Sequence, residues 1–210
     1  MGAWPRTGPG PDRLLVRAGL AVSAATLLVC LLPLLATPTP ARPPDAGSLP
    51  AAAAPTATAA PVHSPPVTLS IPGRLDKVPV DPVTSDATGA MTVPESPRRL
   101  GWWALGAAPG APHGTVLLAG HLDSAAEGVG PFETLHDVPI GTLAHVTAAD
   151  GRRHTYRIVA RRTHRKSALP RDLFAPGGTP RLALVTCAGT FDPEAHAYAD
   201  NLVLYGEPAV

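Results

Sequence analysis

The sequence predicts an all-β domain over residues 67–210 of a 210-residue chain. Three observations support this class. Seven or eight short runs of β-branched and apolar residues follow one another in this range, and Pro and Gly separate them. No long amphipathic helical pattern interrupts the runs. The chain also contains 27 prolines and 20 glycines but only 16% charged residues, a composition typical of a loop-rich barrel or sandwich.

Residues 14–36 are predicted to form a single membrane-spanning helix. A run of 19 residues that ends at Ala36 carries no charge, which is just long enough for a helix to cross a hydrocarbon core of about 30 Å. Arg13 and Arg17 stand at its amino-terminal side, so the positive-inside rule puts residues 1–13 in the cytoplasm and the β domain outside the cell. A cleaved secretory signal is the alternative, and it would export the domain equally well.

Residues 37–66 are predicted to be an extended extracellular linker. The segment holds nine prolines and many alanines, and it offers few side chains that could form a core. Chains of this composition are semi-rigid and rise about 3 Å per residue where they are polyproline-like. We expect the linker to hold the exported domain away from the membrane.

The patterned segments of the β domain can be assigned in chain order. The Asp-Gly pair at 150–151 lies between two alternating runs over residues 141–165, which predicts a β-hairpin. The sequence GPFETLHDVPIG, residues 130–141, predicts a single helical turn. The remaining predicted strand segments are VTLSIPGRLDKVPVDPV (67–83), GAMTVP (89–94), HGTVLLAG (113–120), RLALVTC (181–187) and NLVLYGE (201–207).

Charge and metal-ligand patterns exclude several function classes. The formal net charge of +1 gives no basic field for nucleic acid. The sequence contains no HExxH, paired CxxC or His-x-His motif. His121 and Asp123 could ligate a metal, but no neighbouring motif completes such a site. We therefore predict no metal, no cofactor and no nucleic-acid partner.

Cys187 is the residue that most strongly suggests chemistry. The only other cysteine, Cys30, lies in the predicted membrane segment, and a disulfide between them would require Cα atoms within about 7 Å. Cys187 is therefore predicted to be a free thiol on an exported domain, where an unused thiol is a liability. Two roles remain open from this reasoning, a buried core residue and a nucleophile.

His121 is the best candidate partner for a reactive thiol. A nucleophilic cysteine needs a group that exchanges protons with it, and eight histidines are present. Most of them occur in polar, loop-like sequence, whereas His121 follows the predicted strand TVLLAG. Strands would thus deliver both His121 and Cys187 to the rim of the domain, where a small barrel can hold a catalytic pair rigidly.

Three segments resemble the signature regions of sortases, most closely the class F sortases of actinobacteria. They are LLAGHLDS (117–124), LVTCAGTFD (184–192) and YADNLVLYGE (198–207), and 66 residues separate His121 from Cys187. The similarity extends through residues 69–83, 129–142 and 163–176, so it covers essentially all of the β domain.

The resemblance implies an eight-stranded sortase β-barrel and a membrane-anchored cysteine transpeptidase. By this resemblance, Cys187 attacks the Thr-Gly carbonyl of a Leu-Pro-x-Thr-Gly-like sorting signal on a surface protein and forms a thioacyl intermediate. An amine of a cell-wall (peptidoglycan) precursor then resolves the intermediate. His121 protonates the leaving amine and later accepts a proton from the attacking amine.

One position departs from the sortase pattern. The family is expected to carry an arginine between Tyr and Asp-Asn, and Ala199 stands there. Loss of one donor to an oxyanion costs on the order of 3 kcal/mol of transition-state stabilisation. The candidate replacements are backbone N–H groups near Cys187, the neutral donor Asn201, and four arginines that precede the cysteine strand: Arg161, Arg162, Arg165 and Arg171.

Three other functions compete with an active sortase. A catalytically inactive, sortase-like binding module would account for Ala199. An L,D-transpeptidase is expected to have histidine two residues before its cysteine, where this chain has Val185. A papain-like hydrolase has its cysteine at the start of a helix, whereas Cys187 follows a predicted strand.

Overall fold

A computed structural model of the protein describes residues 42–49 and 64–209. The predicted membrane segment and most of the predicted linker lie outside this range. No helix of the described residues has the length and apolar character needed to span a membrane.

The described residues form eleven strands. The strands are β1 (Ala46–Gly47), β2 (Pro66–Ile71), β3 (Leu75–Val83), β4 (Leu100–Trp103), β5 (Thr115–Ala119), β6 (Asp123–Ser124), β7 (Gly128–Val129), β8 (Leu143–Ala148), β9 (Arg153–Arg165), β10 (Arg181–Asp192) and β11 (Ala197–Pro208).

Eight of these strands form a closed barrel. Neighbouring strands follow the order β9-β11-β10-β5-β4-β3-β2-β8, and β8 pairs with β9 to close the sheet. The β5–β10 and β3–β4 pairs are parallel, and the other pairs in this ring are antiparallel. Closure leaves the barrel without a free edge along most of its length. The all-β, eight-stranded prediction is confirmed.

Two connections follow the local signals that predicted them. β8 and β9 form an antiparallel hairpin around the Asp-Gly pair, since Asp-Gly accepts the backbone conformation of a tight turn. The residues Pro131–Asp137 form a short 3₁₀ helix, where a single helical turn was predicted. Two further 3₁₀ turns, Lys166–Ala168 and Arg171–Phe174, lie between β9 and β10.

The predicted strands GAMTVP and RLALVTC differ in extent from the structure. The segment GAMTVP contributes only an isolated bridge between Ser85 and Met91. β10 does not end at Cys187 but continues to Asp192. Its pairing with β5 stops at Val185, whereas its pairing with β11 continues beyond it, with an irregularity after Ala188. Cys187 therefore lies in a part of β10 that pairs with β11 but no longer with β5.

Apolar residues pack on both faces of β10. Leu182, Leu184 and Ala188 belong to the cluster inside the barrel. Ala183 and Val185 belong to a second cluster on the outer face, which the 3₁₀ turn Arg171–Phe174 helps to cover. Because side chains alternate along a strand, Cys187 shares the outer face with Ala183 and Val185.

Residues 42–49, within the predicted linker, lie along β9. β1 pairs with Arg161 and Ala160 of β9, beyond the part of β9 that β8 occupies. The amide of Thr163 donates to Asp45 Oδ1 at 2.9 Å, and Pro43 is buried. The compositional prediction of an extended spacer did not anticipate this contact, because it depends on the edge of β9 that β8 leaves uncovered.

Candidate active site

Cys187 lies in a row of side chains that crosses three strands. It pairs with Asn201 of β11, and Asn201 pairs with His164 of β9. The thiol is partly exposed, although Thr186 and Ala188 on either side of it are buried. The strand backbone therefore fixes the position of Cys187 while its side chain remains within reach of solvent.

The backbone next to His121 is tied to β10. The amide of Gly120 donates to the carbonyl of Val185 at 3.0 Å, and the hydroxyl of Thr186 donates to the carbonyl of Gly120 at 3.0 Å. Val185 is paired with Ala119, so Cys187 and His121 each follow this pair by two residues. Cys187 lies on β10 and His121 lies two residues beyond the end of β5, so each of the two predicted site residues follows the last pair of these parallel strands by the same number of residues.

The glycine before His121 is required by packing. A Cβ atom on Gly120 would lie 2.6 Å from Leu100 Cδ2 and 2.9 Å from Phe132 Cδ2. Both neighbours are fully buried and have no room to retreat. Glycine at this position lets the chain directly before His121 approach β4 and the 3₁₀ helix closely.

The surroundings of Cys187 favour its protonated form overall. Burial raises the pKa of the thiol above its ordinary value, and the carboxylate of Asp123 raises this pKa further. The charge of Lys166 acts in the opposite direction and lowers the same pKa. Because the thiolate is the nucleophilic form, a reaction at Cys187 requires a group that removes the proton as the bond forms.

Asp123 and Tyr198 form a polar contact beside the thiol. The hydroxyl of Tyr198 donates to Asp123 Oδ2 at 2.6 Å, and the Tyr198 ring packs against Phe191 with centroids 5.1 Å apart. Burial and this bond to Asp123 raise the pKa of Tyr198 to about 12, so the phenol stays a donor at neutral pH. Sequence reasoning did not assign a role to Tyr198. The sequence signal that could have singled out Tyr198 is its position directly before Ala199, in the third signature segment.

His136 contacts the backbone of the nucleophile candidate. Its Nε2 atom lies 3.2 Å from the carbonyl oxygen of Cys187. His136 lies in the last turn of the 3₁₀ helix Pro131–Asp137, whose Phe132 and Leu135 are fully buried in the barrel. This helix therefore holds the histidine against β10. The sequence predicted the helical turn, but no local signal in it singled out His136.

A match to a known family adds to this geometry. The family model described as the sortase domain matches residues 69–209. The chain belongs to the sortase family. No curated protein sequence matches the chain.

Several solved sortases share the fold of this sortase. Sortase C1 of Streptococcus suis superposes with a TM-score of 0.52 at 17% identity, over 71% of this chain and 75% of that one. Sortase C1 of Streptococcus agalactiae gives 0.51 at 16% identity, over 68% and 66%. A pilus-related sortase C of group B Streptococcus gives 0.51 at 14%, over 71% and 70%. The chain thus spans about two thirds to three quarters of the length of these relatives.

Ala199 takes the position where the sortase pattern leads one to expect an arginine, and two of the candidate replacements are engaged elsewhere. Ala199 is exposed and carries no side-chain donor. Arg161 donates to the carbonyl of Val138 at 2.6 Å. Arg162 donates to the carbonyls of Ala46 and Gly47 at 2.6 and 2.7 Å. Both guanidinium groups therefore hold a loop and β1 in place.

The other predicted replacements differ in position. Asn201 stands directly opposite Cys187 on β11, so its amide is the nearest neutral donor in register. Arg165 pairs with Asp200, one residue off the row of Cys187. Arg171 is exposed at the start of its 3₁₀ turn. Among the four arginines, none contributes to the pKa shift of Cys187.

The described part of this sortase contains no metal-binding cluster. No three His, Cys, Asp or Glu side chains in residues 42–49 and 64–209 lie close enough together to hold an ion. His121 and Asp123, which the sequence indicated as candidate metal ligands, have no third ligand beside them in these residues. Asp123 is instead bonded to Tyr198.

Proposed function

We propose that this sortase is a membrane-anchored cysteine transpeptidase of the class F type. It would cleave a Leu-Pro-x-Thr-Gly-like sorting signal between Thr and Gly and transfer the acyl group to an amine. The observation that carries the proposal is the pair of hydrogen bonds that tie Gly120 to Val185 and Thr186. This pair supports a shared site for His121 and Cys187, which a rigid catalytic pair requires.

In the proposed reaction the thiol of Cys187 attacks the Thr carbonyl carbon. Because burial keeps the pKa of the thiol high, its proton passes to His121 as the carbon–sulfur bond forms. His121 then gives this proton to the departing glycine amine, and a thioester between Cys187 and the Thr carbonyl remains. An incoming amine attacks the thioester, loses a proton to His121, and releases the thiol with the new peptide bond.

The proposed partners follow from the resemblance and the sequence pattern. The acyl donor is a surface protein with a carboxyl-terminal sorting motif. The acyl acceptor is an amine of a peptidoglycan precursor. The apolar run at 14–36 and the basic residues before it support a single-pass anchor in the cell membrane, with the barrel outside the cell.

The proposal is tested by incubating the full-length protein with a panel of Leu-Pro-x-Thr-Gly-type peptides and an amine acceptor. Intact mass measurement should show a thioacyl adduct or a transpeptidation product in the wild type and none in Cys187→Ala. His121→Ala should reduce turnover by about 10²- to 10⁴-fold. His113→Ala is the matched control, because His113 is an exposed loop histidine and its loss should leave turnover unchanged.

A second function, a non-catalytic binding module, is favoured by Ala199. An exposed alanine at the expected arginine position removes a donor to the oxyanion but leaves the barrel surface intact. This function predicts that the same peptides bind measurably and that no adduct appears with any of them. That result would replace the transpeptidase proposal.

A further inference from the structure

We propose that Lys166 supplies the active site with the positive charge that Ala199 does not provide. This inference rests on the proposed transpeptidase function and adds a residue to it. Neither the sequence resemblance nor the fold assigns a role to Lys166. Strand register, the face on which Ala199 lies and the charges around the thiol each support this placement.

Strand register brings Lys166 beside Ala199. β9 and β11 are antiparallel, with Asn201 opposite His164 and Asp200 opposite Arg165. The recorded pairing stops there, and Lys166 directly follows Arg165 at the start of the 3₁₀ turn Lys166–Ala168, which contacts β11. If the register is continued by one position, Lys166 lies at the level of Ala199, where the sortase pattern has its arginine.

Side-chain alternation directs Ala199 to the face of the thiol. Cys187, Asn201 and His164 form one row across β10, β11 and β9. Residues two positions apart on a strand point to the same face. Ala199 lies two positions from Asn201 on β11, so it shares the face of Cys187. Lys166 lies beyond the end of β9, in the 3₁₀ turn Lys166–Ala168, and this turn contacts β11. Arg165 lies one position from His164 and points to the opposite face.

Lys166 has the freedom to reach the site. The residue is exposed, and none of the ion pairs among residues 42–49 and 64–209 involves it. Ala199 is exposed as well and leaves the space beside it open to solvent. A lysine ammonium is a compact charge on a flexible four-carbon stem. Such a side chain is suited to extend over the small side chain of Ala199.

The electrostatics of the thiol agree with this placement. Lys166 lowers the pKa of Cys187, whereas Asp123 and burial raise it. Four titratable groups act on the thiol of Cys187 or contact its backbone, and they are Lys166, Asp123, Tyr198 and His136. His121 follows the end of β5, which pairs with β10. Among the fixed charges in this set, Lys166 is the cation and Asp123 the anion.

A cation at this position has two chemical consequences. It stabilises the Cys187 thiolate relative to the thiol, and it stabilises negative charge that develops on the carbonyl oxygen of the bound acyl group. Lysine offers a single point charge, whereas arginine offers a planar pair of donors. The site would therefore retain the electrostatic part of the arginine's role and lose the bidentate geometry.

The test measures the pH profile of Cys187 alkylation by iodoacetamide in the full-length protein. Lys166→Met should move the midpoint of the profile to higher pH and slow alkylation at pH 7 by about threefold to tenfold, since one pKa unit corresponds to a tenfold change. Lys166→Gln should behave in the same way, and Lys166→Arg should retain the wild-type profile. A merely structural role of Lys166 would not shift the midpoint.

The matched control is Arg165→Met, which removes the same charge one residue away on the opposite face and should leave the profile unchanged. Introducing Ala199→Arg into Lys166→Met should restore the wild-type midpoint and part of the peptide turnover. An unchanged midpoint in both Lys166→Met and Lys166→Gln overturns the inference. The alkylation assay needs no sorting peptide, so a Lys166→Met protein that shows the expected shift, beside a wild type that forms no thioacyl product, contradicts the proposed function alone.

Discussion

The hydroxyl of Thr186 donates a 3.0 Å hydrogen bond to the carbonyl oxygen of Gly120. The two residues stand immediately before Cys187 and His121, and Thr186 is almost completely buried. In a second hydrogen bond, the Gly120 amide donates to the Val185 carbonyl. The backbone of β5 therefore remains attached to β10 for one residue beyond its last strand pair. The relative position of Cys187 and His121 thus depends on a buried contact that neither side chain makes.

Thr186→Val should weaken both the fold and the site. Valine has nearly the shape of threonine but cannot donate, so the buried Gly120 carbonyl loses a partner. The free energy of unfolding should fall by about 1–3 kcal/mol, which urea denaturation measures. Peptide turnover should also fall, because His121 is less well positioned. Thr186→Ser, which keeps the hydroxyl, is the control. A Thr186→Val protein with wild-type stability and turnover would show that the bond has no structural role.

Asp123→Asn should make the Cys187 thiol more reactive. The Asp123 carboxylate raises the pKa of the thiol, and asparagine removes this charge while its amide oxygen can still accept from Tyr198. The pKa of Cys187 should therefore fall, and alkylation at pH 7 should accelerate by about twofold to fivefold. The difference should shrink in 1 M salt, where the Debye length is about 3 Å.

Glu207→Gln is a suitable charge-matched control for this substitution. Glu207 lies near the far end of β11, opposite Arg157, and it does not contribute to the pKa of Cys187. Cys187 in the Glu207→Gln protein should be alkylated at the same rate as in the wild type. A decrease in the rate for Asp123→Asn, or an equal increase for both variants, would contradict the electrostatic role of Asp123.

Local sequence patterns were enough to predict several parts of this sortase. The hairpin at residues 150–151 and the strand that leads to Cys187 each follow from a few consecutive residues. His121 could be selected because a glycine and a strand-like run precede it. Tertiary contacts explain why this residue is glycine, since a Cβ atom on Gly120 would collide with Leu100.

Contacts between distant segments were beyond sequence reasoning. His136 and the Cys187 carbonyl are 51 residues apart, and Asp123 and Tyr198 are 75 residues apart. No periodicity connects such positions, because only the closed barrel brings them together. The proposed position of Lys166 near Ala199 likewise rests on the register between β9 and β11, which single-sequence patterns do not fix.

Gly47→Ala should release the segment 42–49 from β9. A Cβ atom at this position would lie 2.0 Å from the backbone oxygen of Val159, and the φ angle of Gly47 is +73°. Both effects prevent β1 from pairing with β9. Amide hydrogen exchange of Thr163, which donates to Asp45, should accelerate, while the rest of the barrel stays protected.

Gly73→Ala provides a comparison with a similar backbone but no packing conflict. Gly73 also has a positive φ angle, and a Cβ atom added there would have no neighbouring atom within 4 Å. The substitution should destabilise its own turn without affecting exchange at Thr163. Unchanged exchange at Thr163 in Gly47→Ala would mean that β1 does not depend on the close approach to Val159.

Tyr205 should make the barrel sensitive to alkaline pH. Burial raises its pKa to about 12, from an ordinary value of 10.0, so the folded state favours the neutral phenol. This contribution to stability is complete below pH 10 and is lost as the pH rises from 10 through 12. The loss from this residue alone should reach about 1 kcal/mol at pH 11.

The variant Tyr205→Phe isolates this alkaline effect. It also loses the 3.4 Å contact between the Tyr205 hydroxyl and His164, but that loss is present at every pH. Thermal unfolding at pH 8 and pH 11 should therefore show a smaller alkaline decrease in Tm for Tyr205→Phe than for the wild type. Equal decreases in the two proteins would show that the pKa of Tyr205 does not differ between the folded and the unfolded chain, and that burial of this phenol has no part in alkaline unfolding.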